Sequence, residues 1–418
     1  MARQVLVIGG GASGMMAAGR AAECGAAVTL LEKMPQLGSK ILLSGKGRCN
    51  FSNTADLRDF VAAFGPEGKF LYGAFTHFFR PDLLDLLERF GLKAEVERGG
   101  RVFPASDRAL DVVKALKQYL QQGKVRTRLN GAVDRVEVQK GTVSRVCLGR
   151  GEVALEAHAC ILATGGLSYP LTGSTGDGYE IAKRLGHTIV PLRPSLVPLE
   201  VEEPWAKELQ GLSLRNVKAS LFSGKKERKK IGEEFGEMLF THFGVSGPII
   251  LRLSRLAFKS HARGKLTLCL NLKPALNPEQ LDRRLLRDLA KYSRRQFKHC
   301  LTDLLPRRLI SVIVGLSEIA PEKPAHQLTA QERERIGNLL SALPLTILRP
   351  RPIEEAVVTA GGVELTEVNP KTMESRIISG LYFCGEILNL DGPTGGYNLQ
   401  AAFSTGYLAG EMAAQEPG

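Results

Sequence analysis

A short apolar run at residues 5–8 breaks at three consecutive glycines and passes directly into a stretch rich in helix formers. The break reads Gly9-Gly10-Gly11-Ala12-Ser13-Gly14, a G-x-G-x-x-G turn between a buried strand and a helix at residues 15–24. A second apolar run at 27–31 ends in Glu32, 18 residues after Gly14. Strand, glycine turn, helix, strand and acid in that order predict the opening βαβ unit of a dinucleotide-binding α/β fold. Gly9 allows the tight turn, Gly11 lets backbone approach a pyrophosphate, and Gly14 lets helix and strand pack closely. The helix N-terminus adds free N–H groups and partial positive charge for the phosphates. Glu32 stands where a carboxylate accepts hydrogen bonds from ribose hydroxyls and repels a 2′-phosphate, so the nucleotide is FAD or NAD and not NADP.

The loop beyond Glu32 separates those two. It is glycine-rich and basic and comes soon after the acid: Lys33 through Lys40, then Ser44-Gly45-Lys46-Gly47-Arg48-Cys49-Asn50. Such a loop suits a cofactor that continues past the pyrophosphate into a ribityl chain and a ring. Later, an apolar strand at 160–163 ends in Ala163-Thr164-Gly165-Gly166, and Gly173-Ser174-Thr175-Gly176-Asp177-Gly178 opens a helix at 177–185. Near the end, residues 380–385 form a buried strand closing on Gly385-Glu386, placed to meet ribityl hydroxyls. Gly395-Gly396-Tyr397-Asn398-Leu399 then starts the last helix, at 399–412.

Between these motifs the texture changes. Strands are expected at 125–129, 133–138 and 143–148, and helices at 81–90 and 109–121. From about 192 to 348 come charge runs such as 225–230, a strand at 265–272, and helices at 278–292, 295–305 and 329–343. Residues 192–348 therefore read as a mixed β and helical unit inserted into a nucleotide-binding domain made from residues 1–191 and 349–418. Composition is ordinary for a globular chain, 44% hydrophobic and 24% charged, which excludes global disorder. The seven cysteines are scattered without a C-x-x-C pair. Together with the lack of a leader-like N-terminus or a membrane-spanning run, this predicts a cytoplasmic, unanchored protein. No histidine or cysteine spacing suggests a metal.

Taken together, the quoted motifs resemble the YhiN-type (BaiN-like) family of bacterial FAD-dependent oxidoreductases, within the glutathione-reductase-like two-dinucleotide-fold flavoproteins. Residues 240–248 and 359–363 fit it as well. The resemblance spans the whole chain. It implies an α/β fold: a discontinuous, Rossmann-like FAD-binding domain interrupted by a β-barrel-like piece (about 192–272 and 344–348) and a helical subdomain (about 273–343). It further implies that Gly9, Gly11, Ala12, Ser13, Gly14, Glu32, Lys33, Lys40, Ser44 and Gly45 line the FAD. Val133 (through its backbone), Ala163, Thr164, Gly165, Gly385, Glu386, Asn398 and Leu399 do so too. Members include NAD(P)H-dependent reductases of unsaturated intermediates and aminoacetone oxidases. The resemblance thus fixes the cofactor better than the substrate, which is a small unsaturated molecule or an amine.

The catalytic acid or base stays unassigned. Cys49 in the glycine loop, His242 in the insertion and Tyr397 at the last helix are candidates, with Tyr169 and Arg101 beside them. A second G-x-G-x-x-G is absent, so NAD(P)H, if used, binds transiently. The chain is basic, with a net charge of +13. Between residues 273 and 308, ten Lys/Arg face four acids. That excess leaves an RNA-associated, tRNA-modifying flavoprotein as an alternative, against which stand only 6% aromatic residues and no RNA-binding signature.

Overall fold

The computed structural model describes residues 2–149, 153–224, 229–259 and 265–415. The chain divides into two units: Met1–Pro194 with Ala356–Gly418, and Ser195–Glu355.

The first unit is built on a five-stranded parallel sheet. Its order is Leu381–Phe383, Ala159–Leu162, Gln4–Ile8, Ala27–Leu31, Arg126–Arg128. Gln4–Ile8, Ala159–Leu162 and the edge strand Leu381–Phe383 are almost wholly buried and read as unbroken apolar runs, as strands covered on both faces must. The first helix, Ala12–Glu23, starts immediately after Gly11, three residues earlier than its apolar pattern suggests. The last helix, Tyr397–Ala414, lies against it. Side chains at Gly406 and Gly410 would run into the carbonyl oxygens of Ser13 and Ala17, so the two helices meet backbone to backbone. The two chain ends are thereby locked into one core with the strand Leu381–Phe383 between them in sequence. This unit also holds two antiparallel three-stranded sheets. One joins Ser52–Asn53, Arg101–Pro104 and Ala94–Glu97; the other joins Val133–Gln139, Thr142–Leu148 and Val153–Glu156.

The second unit is a closed six-stranded barrel with helices Pro278–Lys291, Arg307–Ser317 and Ala330–Ser341. It begins at Ser195 and not at 192 because Ile189–Ser195 pairs with Val358–Val363 in the first unit. It runs past 348 because the strand Leu343–Pro350 continues the barrel and Arg351 then pairs with Glu200 and Glu355. Of the charge run at 225–230, Lys229 and Lys230 open the strand Lys229–Thr241, which pairs with Ser213–Ser223, and residues 225–228 lie outside the described residues.

One expected helix is absent. Residues 295–305 make only a 3-10 turn, Phe297–His299, and then turns. Their backbone is taken elsewhere: Phe297 N–H donates to Lys323 O (2.8 Å) and Lys298 N–H to Pro321 O (3.1 Å). Phe297, Cys300 and Leu301 are buried at spacings that a helix would also satisfy, so periodicity alone could not separate the two outcomes.

Candidate functional site

Three glycines of the opening turn have three different reasons to be glycine. Gly9 adopts φ +105°, and a side chain there would collide with the backbone of Ala163. A side chain on Gly14 would strike the carbonyl oxygen of Gly9. Both are required by the protein's own packing. Gly11, the residue preceding the helix, has ordinary backbone angles, and a Cβ built on it meets nothing within 4 Å. Among the described residues no neighbour demands a glycine there, and the backbone edge is bare.

Around this edge, the other motifs converge. Gly9 N–H donates to Leu31 O (2.8 Å) and Gly38 N–H to Gly10 O (2.9 Å), which binds the loop after the second strand to the glycine turn. Glu32, nine-tenths buried, accepts from Gly10 N–H (2.6 Å) and Met34 N–H (2.8 Å), fixing its carboxylate at the strand end. Lys33 is held by Asp177 (2.6 Å) and Thr175. Ala163 N–H donates to Ile8 O (2.9 Å), and Gly165 follows in the left-handed region. Val133 begins its antiparallel strand opposite Leu148. Ser13 is buried against Gly385, which itself has φ +77°.

Glu386 is not left open to a ligand alone. Its carboxylate receives Lys40 Nζ (2.6 Å), Ser168 Oγ (3.0 Å) and Thr359 N–H (2.8 Å), while Lys40 also donates to Ser168 Oγ (2.6 Å). Four separate segments are tied at this one carboxylate. Asn398 likewise spends its carboxamide on the chain, accepting from Gly392 N–H (2.8 Å) and donating to Gly392 O (3.0 Å) and Pro393 O (3.2 Å). It shapes the loop before the last helix. Gly396 lies so close to the carbonyl of Ser52 that a side chain cannot be placed there, and Asn53 donates to Gly395 O (2.9 Å). No side chain caps this helix, so the N–H groups of its first turn, around Tyr397 to Leu399, stay available.

The loop carrying Ser44 and Gly45 turns left-handed, with positive φ at Gly45, Lys46, Gly47 and Cys49. Lys46 and Cys49 hold this conformation without glycine's freedom, a strain that accompanies functional loops. Cys49 is wholly buried, and burial pushes its thiol up to about 12, so it packs as a thiol and supplies no thiolate near neutral pH. Tyr397, half-buried with its ring 4.4 Å from Phe60, and Tyr169, at φ +54°, have hydroxyls raised by burial and are proton-bearing. Arg101 does not stand ready for a substrate carboxylate. It pairs with Glu97 (3.1 Å) and lies over Phe103. His242 belongs to the second unit, exposed at the turn before Gly244–Ser246 and edge-on to Phe243.

Among the described residues, three buried side-chain atoms lack any hydrogen-bond partner: Ser39 Oγ, Asn50 Oδ1 and Thr164 Oγ1. Such atoms cost about 1–3 kcal/mol each if nothing meets them. Ser39 follows Gly38, which bonds the glycine turn, and Thr164 packs beside Gly9. Open space at Gly11, unmet polar atoms at Thr164 beside Gly9 and at Ser39 beside Gly38, and an uncapped helix fit a large polar nucleotide. Ser39 and Asn50 escape sequence reasoning because a lone Ser or Asn in a glycine loop reads as a turn residue. Ser168 lies just after residues 163–166 and Thr359 opens the stretch 359–363, but nothing in the sequence joins them to Glu386.

The model for the HI0933-like protein Rossmann domain matches residues 3–412 of this chain. The chain belongs to this family. A relative from Clostridium scindens, named 3-dehydro-bile acid delta(4,6)-reductase, is 35% identical over 416 residues, covering 98% of this chain and 99% of the relative. An Escherichia coli relative named ribosomal RNA dihydrouridine synthase is 31% identical over 410 residues, covering 97% of this chain and 96% of the relative. Among solved structures, 3-ketosteroid delta1-dehydrogenase from Sterolibacterium denitrificans superposes with a TM-score of 0.53 at 14% identity, covering 98% of this chain and 99% of that one. That likeness shows the fold. With the family and the site in hand, the chain is an FAD-dependent oxidoreductase, as its motifs imply. Among the described residues no helix is long and apolar enough to cross a membrane.

Proposed function

We propose that this enzyme saturates a carbon–carbon double bond conjugated to a carbonyl, with hydride originating from NAD(P)H. FAD supplies a carrier that takes up a hydride from one partner and yields it to another. The observation that supports the reading is full-length similarity to two relatives whose names, though their substrates differ, both describe adding hydrogen to such a bond. A hydride goes to the carbon remote from the carbonyl, and a proton to the carbon beside it. Tyr397 and Tyr169, kept protonated by burial, carry phenolic hydroxyls beside glycine-rich loops and suit the proton's delivery. The residues around Gly11, Glu32 and Lys40 hold the dinucleotide. The uncapped first turn of Tyr397–Ala414 offers N–H groups to developing negative charge, worth about 0.3–2 kcal/mol.

Anaerobic stopped-flow mixing of purified protein with NADH, NADPH and aminoacetone tests this. Rapid bleaching by a pyridine nucleotide, reversed by a conjugated enone or a uracil ring, is the expected result. Bleaching by the amine alone, with reoxidation only by oxygen, would replace the proposal with the oxidase reading.

A second reading concerns the carrier of that double bond. The second unit, Ser195–Glu355, holds 28 Lys/Arg against 18 Asp/Glu, a net +10, while the rest of the chain holds 28 against 25, a net +3. Charge so unevenly placed favours a polyanionic substrate, a uracil ring within RNA, over a free small molecule.

A further inference from the structure

We infer that the outer face of the helix Pro278–Lys291, continued by the turn after it, is a docking surface for the phosphate backbone of RNA. The inference rests on the RNA reading of the substrate and assigns it a place. Arg283, Leu286, Arg287, Ala290 and Lys291 are all exposed and recur at helical spacing, and Arg294 continues the line beyond the helix end. The opposite face, with Leu281, Leu285 and Leu289, is buried, so the helix orientation is fixed by its core side.

The acids nearby neutralise only part of this line: among the described residues Lys291 is paired, and Arg283 and Arg294 are not. Asp282 is taken by Arg333 (2.5 Å), Asp288 by Arg284 (2.8 Å), and Asp303 by Lys291 (2.7 Å) and the Tyr292 hydroxyl (3.0 Å). Arg287 reaches only the far side of Asp288, at 3.7 Å. Arg283, Arg294 and the exposed Arg307 have no ion pair among the described residues. Glu279, beside Arg283 in a shallow concavity with Pro278 and Asp282, marks the line's acidic end.

Stability does not explain the arrangement. Arg283 with Arg287, and Arg287 with Lys291, are like charges at i,i+4, which weaken a helix and do not support it. An exposed Leu286 among them adds nothing to the core.

The shape of the charge selects the partner. Arg283 to Lys291 spans about 12 Å at the helical rise, and Arg294 extends it. A dinucleotide concentrates its charge at one pyrophosphate, whereas a nucleic-acid strand presents phosphates in a row. The one aromatic ring here, Tyr292, is packed under Lys291 and Arg295 and is not free to stack on a base. The surface therefore suits backbone contact, which positions the RNA, and leaves reading of the target base to the flavin site.

The test uses the full-length FAD-loaded enzyme and a fluorescein-labelled, uridine-containing RNA stem-loop, followed by anisotropy across a salt series. The triple variant Arg283→Gln, Arg287→Gln, Arg294→Gln is compared with wild type and with Lys117→Gln, an exposed lysine of the first unit. Reduction of a small enone is measured alongside. The expected result is a log–log salt slope shallower by about three in the triple variant, weaker RNA binding, unchanged enone turnover, and no change in Lys117→Gln. RNA binding by wild type that the triple variant retains in full would overturn the docking surface while leaving the RNA reading intact. Enone reduction by a wild type that shows no salt-dependent RNA binding would overturn the RNA reading, and the docking surface with it. Loss of NADPH affinity in the variant, with RNA binding kept, would reassign the face to the dinucleotide.

Discussion

The glycine turn of the first unit and the helix Pro278–Lys291 of the second make opposite use of the chain. The turn works through backbone: Gly9 and Gly14 are fixed by collisions that any side chain would cause, and Gly11 leaves an edge bare. The helix and the turn after it work through exposed side chains, of which Arg283 and Arg294 have no ion pair among the described residues. One surface is defined by what cannot be added to it, the other by what has been added without structural need. Recognition by backbone tolerates almost no substitution; recognition by a row of charges is graded and sensitive to salt.

The sharpest contrast lies within the turn. Gly14→Val drives a side chain into the Gly9 carbonyl at a buried junction of strand and helix, and is expected to cost more than about 3 kcal/mol, with loss of soluble protein. Gly11→Ala, only three residues away, is expected to cost less than about 1 kcal/mol of apo-protein stability while weakening FAD binding at least tenfold. Thermal unfolding with and without added FAD separates the two. Equal damage from both would erase the distinction between a glycine for the fold and a glycine for the ligand.

Next in size is Lys40→Ala, which leaves Glu386 facing Ser168 and Thr359 without its cation. A partly screened pair of this kind is worth about 1–2 kcal/mol, read as a lower melting temperature. Lys40→Arg should restore part of it.

His187 offers a smaller, pH-dependent effect. Its buried ring contacts Ser375 Oγ (2.9 Å) and Glu367 (3.2 Å), and burial holds its pKa below the ordinary value against the pull of that carboxylate. The unfolded chain takes up a proton below about pH 6.5 that the folded ring refuses, so stability is full above that pH. It falls as pH drops from there to the depressed folded value, by up to about 1.4 kcal/mol per pH unit. Urea unfolding between pH 7.5 and pH 5 should show this slope, and His187→Gln should flatten it. Least of all, single Gln substitutions at Arg283 or Arg294 should leave stability within about 0.5 kcal/mol.

The same contrast governs what could be read without a structure. The glycine motif, Glu32, Gly385-Glu386 and the last helix were legible because backbone constraints force particular residue types at particular spacings. Side-chain partners across long separations were not. Nothing in sequence links Lys40 to Glu386 and Ser168, turns the Asn398 carboxamide toward Gly392, or pairs Arg101 with Glu97. A mixed β unit was legible, but its closure into a barrel was foreshadowed only by resemblance, since strand alternation, as at residues 217–221, does not say how strands pair. At 295–305, burial at helical spacing concealed a segment pinned by the backbone of residues 321–325.

The central claim is that the bare edge at Gly11 is where FAD lies. Titrating FAD into the deflavinated wild-type protein and a Gly11→Val variant, with apo-protein melting temperature as control, tests it most directly. The account predicts one FAD per wild-type chain and no measurable uptake by a variant that melts as the wild-type apo-protein does. A folded Gly11→Val protein that takes up FAD with wild-type affinity would contradict it.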